Sequence, residues 1–214
     1  MKYFGDELSG LHKEMSGIIR RKGKFDEARD IFFRIHKQLH SSTVYETEET
    51  AFDRLMKDIN GENCGAALWD LWHITRIEDI TAGILIDGGS QLFSEQWAER
   101  INSPVSDTGN AMTDSEVNDF IGRVSLSELL KYRNAVGTRT RKIVSEMTEE
   151  DAKRKFPPEF KEKLFQCGGL TSHPDSAWLA DFWLSKDCAG IMLMPFTRHQ
   201  MLHLNQCGKL FSGI

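Results

Sequence analysis

Three histidines in two distant parts of the chain have the spacing of metal ligands. His199 and His203 lie four residues apart in the segment His-Gln-Met-Leu-His, so on a helix they project from neighbouring turns of one face. His73 lies in the apolar stripe of an earlier predicted helix, which also directs it inward. Three protein nitrogens leave at least one coordination position open, as in catalytic rather than structural metal sites. We therefore expect His73, His199 and His203 to bind one divalent metal ion.

Each of these histidines, taken alone, is also compatible with an ordinary core histidine that is satisfied by a backbone carbonyl or a water. Three together favour a metal, because burying imidazoles without partners costs about 1–3 kcal/mol each, whereas one ion satisfies all of them. Cys207 follows His203 by four residues and either adds a thiolate to the set or is a small apolar core residue. The core role is the commoner one for a free cysteine.

A second histidine pair, His36 and His40, has the same spacing in the segment His-Lys-Gln-Leu-His. Its polar neighbours predict partial exposure. The alternative is that the pair lines the mouth of the cavity that holds the other three histidines. Glu78 and Asp79, about one turn after His73, could orient the ligands from a second shell. Carboxylates on a helix face solvent by default, so that is the first expectation for both.

Two known metal motifs do not fit the sequence. Gln200 stands where the His-Glu-x-x-His motif of zinc proteases requires a glutamate base, so that mechanism is excluded. The Glu-x-x-His repeats of di-iron bundles are absent as well, and the nearest match is Asp70-x-x-His73. Trp69 and Trp72 are expected in the core rather than in a ligand-recognition cage.

Helices must position these residues, because apolar residues recur at helical spacing and alternating Val-, Ile- and Thr-rich runs are missing. Thr113 with Glu116 and Ser125 with Glu128 have the pattern of capping boxes. The segment Thr148–Pro174 breaks the periodicity and predicts an excursion between helices. The predicted helices are about Asp26–Val44, Asn63–Asp87, Leu126–Met147, Asp175–Leu193 and Phe196–Leu210. This pattern predicts an all-α fold with one domain over residues 1–214, a four-helix bundle with additional short helices and loop insertions.

Composition excludes several classes of function. The chain has 214 residues, 40% of them hydrophobic, with 27 basic and 32 acidic residues and a net charge of −5. The basic residues form no block, which argues against nucleic-acid binding. No apolar run has the length of a membrane span or of a signal-peptide core, so a cytoplasmic location is expected. The four cysteines form no Cys-x-x-Cys pair, which argues against a zinc ribbon.

Two segments resemble the DinB/YfiT-like superfamily. They are Trp-x-x-x-His-Ile-Thr-Arg-Ile-Glu-Asp, which contains His73, and the late Pro-Phe-Thr-Arg-His-Gln-Met-Leu-His-Leu-Asn-Gln, which contains His199 and His203. In that superfamily a four-helix bundle carries one metal ligand on its second helix and a His-x-x-x-His pair on its last. The resemblance covers about Asp26 to Leu210 and implies these three histidines as ligands, with Gln206 at a polar position often found after the pair.

The resemblance also implies a class of function. Known superfamily activities include thiol-dependent transferases and isomerases in which a metal such as zinc activates a low-molecular-weight thiol. It therefore implies a metal-dependent enzyme of thiol transferase or hydrolase type that acts on a small molecule, and zinc, nickel, iron and manganese are equally compatible. Members commonly form dimers, so a homodimer is one expected state. The alternatives are a non-catalytic metal- or small-ligand-binding stress-response module, or a structural bundle whose histidines have other partners.

Overall fold

The computed structural model describes residues 6–41 and 64–211, with side chains described for 6–40 and 67–205. Within these ranges the chain is helical and contains no strand, apart from one isolated antiparallel bridge between Lys155 and Asp187. The all-α prediction is therefore confirmed. The helices are α1 Asp6–Ile18, α2 Phe25–Ser41, α3 Cys64–Ile80, α4 Glu95–Ile101, α5 Asp114–Arg123, α6 Leu126–Glu146, α7 Glu149–Lys153, α8 Phe160–Gln166, α9 Pro174–Leu184, α10 Cys188–Leu193 and α11 His199–Phe211.

Two of these helices are continuous with π-helical turns. Thr81–Ile86 extends α3, and the chain leaves that helix at Gly88, whose φ of 73° is a left-handed conformation that glycine adopts without strain. This matches the predicted stop at Gly88. Met194–Arg198 precedes α11 and contains Pro195, which lacks an amide hydrogen. Turns of this type are frequent at functional sites.

Local capping explains where several helices begin. Thr113 and Glu116 form a reciprocal capping box at the start of α5, as predicted. Ser125 accepts a hydrogen bond from the Glu128 amide at the start of α6, which ends at Glu146, one residue before the predicted end. The helix predicted over Asp175–Leu193 is instead two helices.

The break between α9 and α10 has a physical cause. Asp187 leaves the helical conformation, and its Oδ1 accepts a hydrogen bond of 2.8 Å from the amide of Gly190, which caps a new helix. The predicted excursion Thr148–Pro174 contains the short helices α7 and α8. Thr148 and Asp151 form a capping box at the start of α7. Short helices with their own caps give too weak a periodic signal to be predicted.

Four of the longer helices contact one another in pairs. Helix α3 packs against α6 and α11, and α2 packs against the same two helices. Two buried apolar clusters support them: a large one that includes residues of α1, α2, α3, α9 and α10, and a smaller one around Trp72, Phe120 and Tyr132. None of the described helices is both long and apolar enough to cross a membrane.

Candidate metal centre

The three predicted histidines come together between α3 and α11. His73 is buried on α3, and His199 and His203 lie partly exposed on the first turns of α11. One ligand-type atom from each ring lies within 4.8 Å of the others. His73 Nε2 is 3.2 Å from His199 Nε2, and the His199 and His203 ring centroids are 4.5 Å apart. The predicted convergence of two distant segments on one point is therefore observed.

The loop after α4 orients His73. The Nδ1 atom of His73 donates a hydrogen bond of 2.8 Å to the Thr108 carbonyl. In the neutral ring the lone pair therefore belongs to Nε2, which faces His199. The same loop is fixed to α3 by Trp69 Nε1, which donates to the Gly109 carbonyl at 3.2 Å. Gly109 has a φ of 75°, and a Cβ there would lie 2.8 Å from Trp69 Nε1, so the loop requires glycine.

Asp70 orients His203 in a similar way. His203 Nδ1 donates to Asp70 Oδ1 at 2.5 Å, a contact that joins α11 to α3. The carboxylate is buried at 4% exposure. A carboxylate or carbonyl on one ring nitrogen is the usual partner of a metal-binding histidine, because it fixes the tautomer and makes the other nitrogen more basic.

Burial keeps two of the rings neutral. Burial, followed by the proximity of His203, lowers the pKa of His73 to about 3, although the bond to Thr108 acts in the opposite direction. Burial, followed by the neighbouring His73 and His203, lowers the pKa of His199 to about 2. Neutral imidazole is the form that binds metals, so these rings need not lose a proton near pH 7.

The geometry fits a metal ion. Two nitrogens bound to one ion at about 2.1 Å, with an angle of about 90–109°, lie about 3.0–3.4 Å apart, which includes the observed 3.2 Å between His73 and His199. His199 Nδ1 is buried and makes no hydrogen bond within the described part of the chain. Packing rather than a second hydrogen bond therefore orients this ring. Trp69 stacks on His73, with ring centroids 4.7 Å apart and planes 11° from parallel.

A second group of potential ligands lies nearby. His36 Nε2 donates to Glu78 Oε1 at 2.8 Å, and His40 Nε2 donates to Glu78 Oε2 at 3.0 Å. Their ligand-type atoms also lie within 4.8 Å of one another, so this group could hold a metal ion too. The prediction that the His36 and His40 pair is partly exposed is wrong, because the two side chains are 0% and 7% exposed. The helix face that bears them packs inward, and the polar residues between them face outward.

Electrostatics favour the first group over the second as a metal site. Glu78 also accepts a hydrogen bond of 2.5 Å from Gln200 Nε2, and Gln200 Oε1 accepts one of 2.8 Å from the buried Arg133. Arg141 contacts the other side of His36 at 3.3 Å. Gln200 thus links Glu78 to Arg133, and His36 links it to Arg141. Two guanidinium groups that lie one side chain away from the single carboxylate of this group oppose the entry of a divalent cation. We interpret this group as a hydrogen-bond network that connects α2, α3, α6 and α11.

The expectation that Glu78 and Asp79 face solvent is also wrong, since both are buried. Glu78 contacts the second histidine pair and not the triad. Asp79 accepts bonds from Tyr132 Oη at 2.6 Å and Arg76 Nη1 at 3.1 Å, and it also binds the amides of residues 92 and 93. The residue that orients a triad ligand is Asp70, which in the sequence is recognisable only as an imperfect match to the di-iron motif. Its position three residues before His73 was the available signal.

The predicted roles of Gln206 and Cys207 concern side chains that lie outside the described part of the chain. Trp72 is in the core as expected, whereas Trp69 is partly exposed beside His73.

Comparison with protein-family models and with curated proteins gives no match to this chain. The site itself is therefore the basis for any functional assignment.

Proposed function

We propose that this chain is a metal-binding protein of the DinB/YfiT-like kind, with His73, His199 and His203 as the ligands of one divalent ion. The observation that carries the proposal is the convergence of three imidazoles, two of which have their Nδ1 atoms bound to Thr108 and Asp70. Because these bonds occupy the Nδ1 atoms, the Nε2 atoms remain as ligands. The resemblance of the two histidine segments to that superfamily supports the same ligand set and a four-helix bundle.

We further propose that the site is catalytic, as a thiol transferase or a hydrolase. A divalent ion held by these three histidines would supply Lewis acidity, which would lower the pKa of a bound water or thiol. His199 and His203 are partly exposed, so a small molecule can reach them. The flat ring of Trp69, which stacks on His73, provides an apolar wall. Asp70 keeps the His203 ring in one orientation. A low-molecular-weight thiol and a small organic substrate are the partners that this proposal requires.

A second candidate is a non-catalytic metal- or small-ligand-binding module that acts in a stress response. One observation favours it. Asp70 is the one carboxylate, among the described residues, that is hydrogen-bonded to the triad, and it is already bound to His203. A general acid or base independent of the ligands is therefore not found beside the triad in this part of the chain, although many metal-dependent reactions use one.

Elemental analysis tests the ligand assignment. The full chain, prepared without an affinity tag and exposed in turn to zinc, nickel, iron(II) and manganese, should retain one ion per chain. His203→Ala should lose it, whereas His173→Ala, which removes an exposed histidine at the start of α9, should retain it. His36→Gln should also retain it if the second group holds no metal. Metal retained by His203→Ala, or none retained by the wild type, would contradict the assignment.

Turnover assays separate the two candidates. The metal-loaded and metal-free forms are compared in thiol conjugation and in ester and amide hydrolysis. Metal-dependent turnover that His203→Ala abolishes supports the enzyme, and stoichiometric metal without turnover across the panel supports the module. Light scattering on the same samples tests the homodimer that the resemblance implies.

A further inference from the structure

An open cavity lies between α2 and α6. It has a volume of about 740 Å³, and Phe33, Lys37 and His40 of α2 and Arg141 and Lys142 of α6 contribute to its wall. None of the three histidines of the triad lines it. The cavity is therefore a separate feature of the molecule, and a role for it does not depend on a metal ion.

The wall of this cavity carries a concentration of positive charge. Lys37, Arg141 and Lys142 line it, and none of the described residues of its wall is a carboxylate. These three cations form no ion pair within the described ranges, unlike many other basic residues of the chain such as Arg20, Arg100 and Lys161. In a protein with a net charge of −5, three cations around one concavity, with no ion pair to another described residue, produce a local field that attracts anions.

The guanidinium of Arg141 is fixed in position. Its Nη1 donates to His36 Nδ1 at 3.3 Å, and its Nη2 donates to Thr138 Oγ1 at 3.2 Å. His36 is in turn bound to the buried Glu78. These bonds use two of the five N–H donors of an arginine, and the others are available to a ligand. A preoriented guanidinium loses little side-chain entropy when it binds an oxyanion.

The two lysines differ from Arg141 in mobility. Lys37 and Lys142 are exposed at the rim of the cavity, one on each helix, so their ammonium groups can approach an anion from both sides. His40 lies deeper, at 7% exposure, with its Nε2 bound to Glu78 at 3.0 Å. Phe33 supplies an apolar surface for the carbon part of an organic ligand.

We propose that this cavity binds a small oxyanion of two or more negative charges. One fixed guanidinium and two flexible ammonium groups match the chemistry that phosphate esters and polycarboxylates share, because each presents several oxygen acceptors to which a guanidinium can bind in a bidentate manner.

Isothermal titration calorimetry tests the proposal, with inorganic phosphate and citrate as probes and glycerol as the uncharged control. We expect saturable binding of at least one of the anions to the wild type, no binding of glycerol, and weaker binding as sodium chloride is raised. Binding of phosphate alone assigns the site to phosphoryl groups, and binding of citrate alone assigns it to polycarboxylates. The absence of binding by both anions overturns the proposal.

A matched pair of variants locates the binding. Lys37→Gln with Lys142→Gln should weaken the affinity at least tenfold, because two of the three cations are removed. Lys13→Gln with Lys22→Gln makes the same change in net charge at exposed lysines outside the cavity and should change the affinity less than twofold. Circular dichroism should show equal helicity for both variants. An equal loss in the two variants would mean non-specific attraction and would refute the site, as would unchanged binding in the cavity variant.

Discussion

Asp70 and His203 form a partly buried hydrogen bond of 2.5 Å between α3 and α11, from one ring nitrogen of the histidine to the carboxylate. This contact joins two segments that lie 133 residues apart in the chain. It fixes the tautomer of His203, so that Nε2 carries the lone pair. The affinity of the triad for a metal ion should therefore depend on a residue that does not itself bind the ion.

Asp70→Ala should weaken metal binding by about 10–100-fold, because the loss of the carboxylate that binds Nδ1 leaves the His203 ring free to rotate and its Nε2 less basic. Asp70→Asn should have a smaller effect, since an amide oxygen still accepts the bond. Competition with a chromophoric chelator measures both affinities. Asp30→Ala, which changes an exposed aspartate on α2, is the control. Affinity in Asp70→Ala equal to that of the control would mean that this bond has no role in the site.

Gly137→Ala should destabilise the protein by about 1–3 kcal/mol through overpacking. A Cβ at this position of α6 would lie 2.3 Å from Cε1 of His40, whose ring is held by Glu78 and cannot move away without loss of that bond. Gly122→Ala in α5 is the matched control, because a Cβ there meets no atom within 4 Å. The control should leave stability unchanged or raise it by up to about 1 kcal/mol. Urea unfolding curves for both variants provide the test, and equal midpoints would contradict it.

Glu78→Gln should lower the free energy of unfolding by about 3 kcal/mol, since it removes a buried charge that three side chains bind. Burial raises the pKa of Glu78, but His40 and His36 outweigh this effect and hold the pKa well below its usual value. The carboxylate is thus ionised near pH 7, and a glutamine amide would place N–H donors against those of the histidines. Glu146→Gln at the exposed end of α6 should change stability by less than about 0.5 kcal/mol. Guanidinium unfolding of both variants compares them, and a similar loss in each would exclude a special role for Glu78.

The ion pair of Arg20 with Asp187 should make stability depend on pH. Burial raises the pKa of Asp187. The hydrogen bonds from Arg20 and from the Gly190 amide together lower that pKa by more than burial raises it, so the net shift is downward. Because the pKa of Asp187 is lower in the folded than in the unfolded chain, its charge stabilises the folded state at pH values above the unfolded pKa of about 3.9. This stabilisation disappears as the pH falls through the folded pKa. Asp187→Asn keeps a helix-capping side chain and removes the charge. Its deficit against the wild type should be constant from pH 7 to 5 and should shrink toward pH 3.

Denaturation at pH 7, 5 and 3 measures that deficit. Asp181→Asn is the control, because its pairing with Lys161 is largely exposed and should contribute little at any pH. A deficit of Asp187→Asn that stays constant down to pH 3 would mean that the charge of Asp187 does not stabilise the fold.

Local signals explain what the sequence could predict. Helix α6 was predicted to within one residue, because its first turn carries a capping serine and its apolar residues keep one period to the end. The convergence of His73 with His199 and His203 was predictable for a similar reason. Each histidine shares a stripe with apolar residues, and inward stripes of neighbouring helices must face one another.

Contacts between distant residues explain what the sequence could not predict. His36 and His40 can be buried because Glu78 accepts a hydrogen bond from each of them, and this partner lies 42 and 38 residues away in the chain. The carbonyl of Thr108, which orients His73, belongs to an irregular loop whose path depends on tertiary contacts. The break at Asp187 was missed because an aspartate in a short polar stretch, here after Ser185 and Lys186, does not reveal whether it caps a helix or continues one.

The π-helical turn Met194–Arg198 and the regular helix that follows it should differ in their tolerance of changes in length. A π-helical turn contains more residues than an α-helical turn and absorbs the extra residue locally, so removal of one residue from it can restore regular α-helical hydrogen bonds without a change of phase in α11. One residue inserted into the regular helix between His199 and His203 would instead rotate His203 by about 100° around the helix axis and separate it from Asp70. Homologous chains can therefore vary in length by one residue at the turn, whereas the number of residues between His199 and His203 should stay constant.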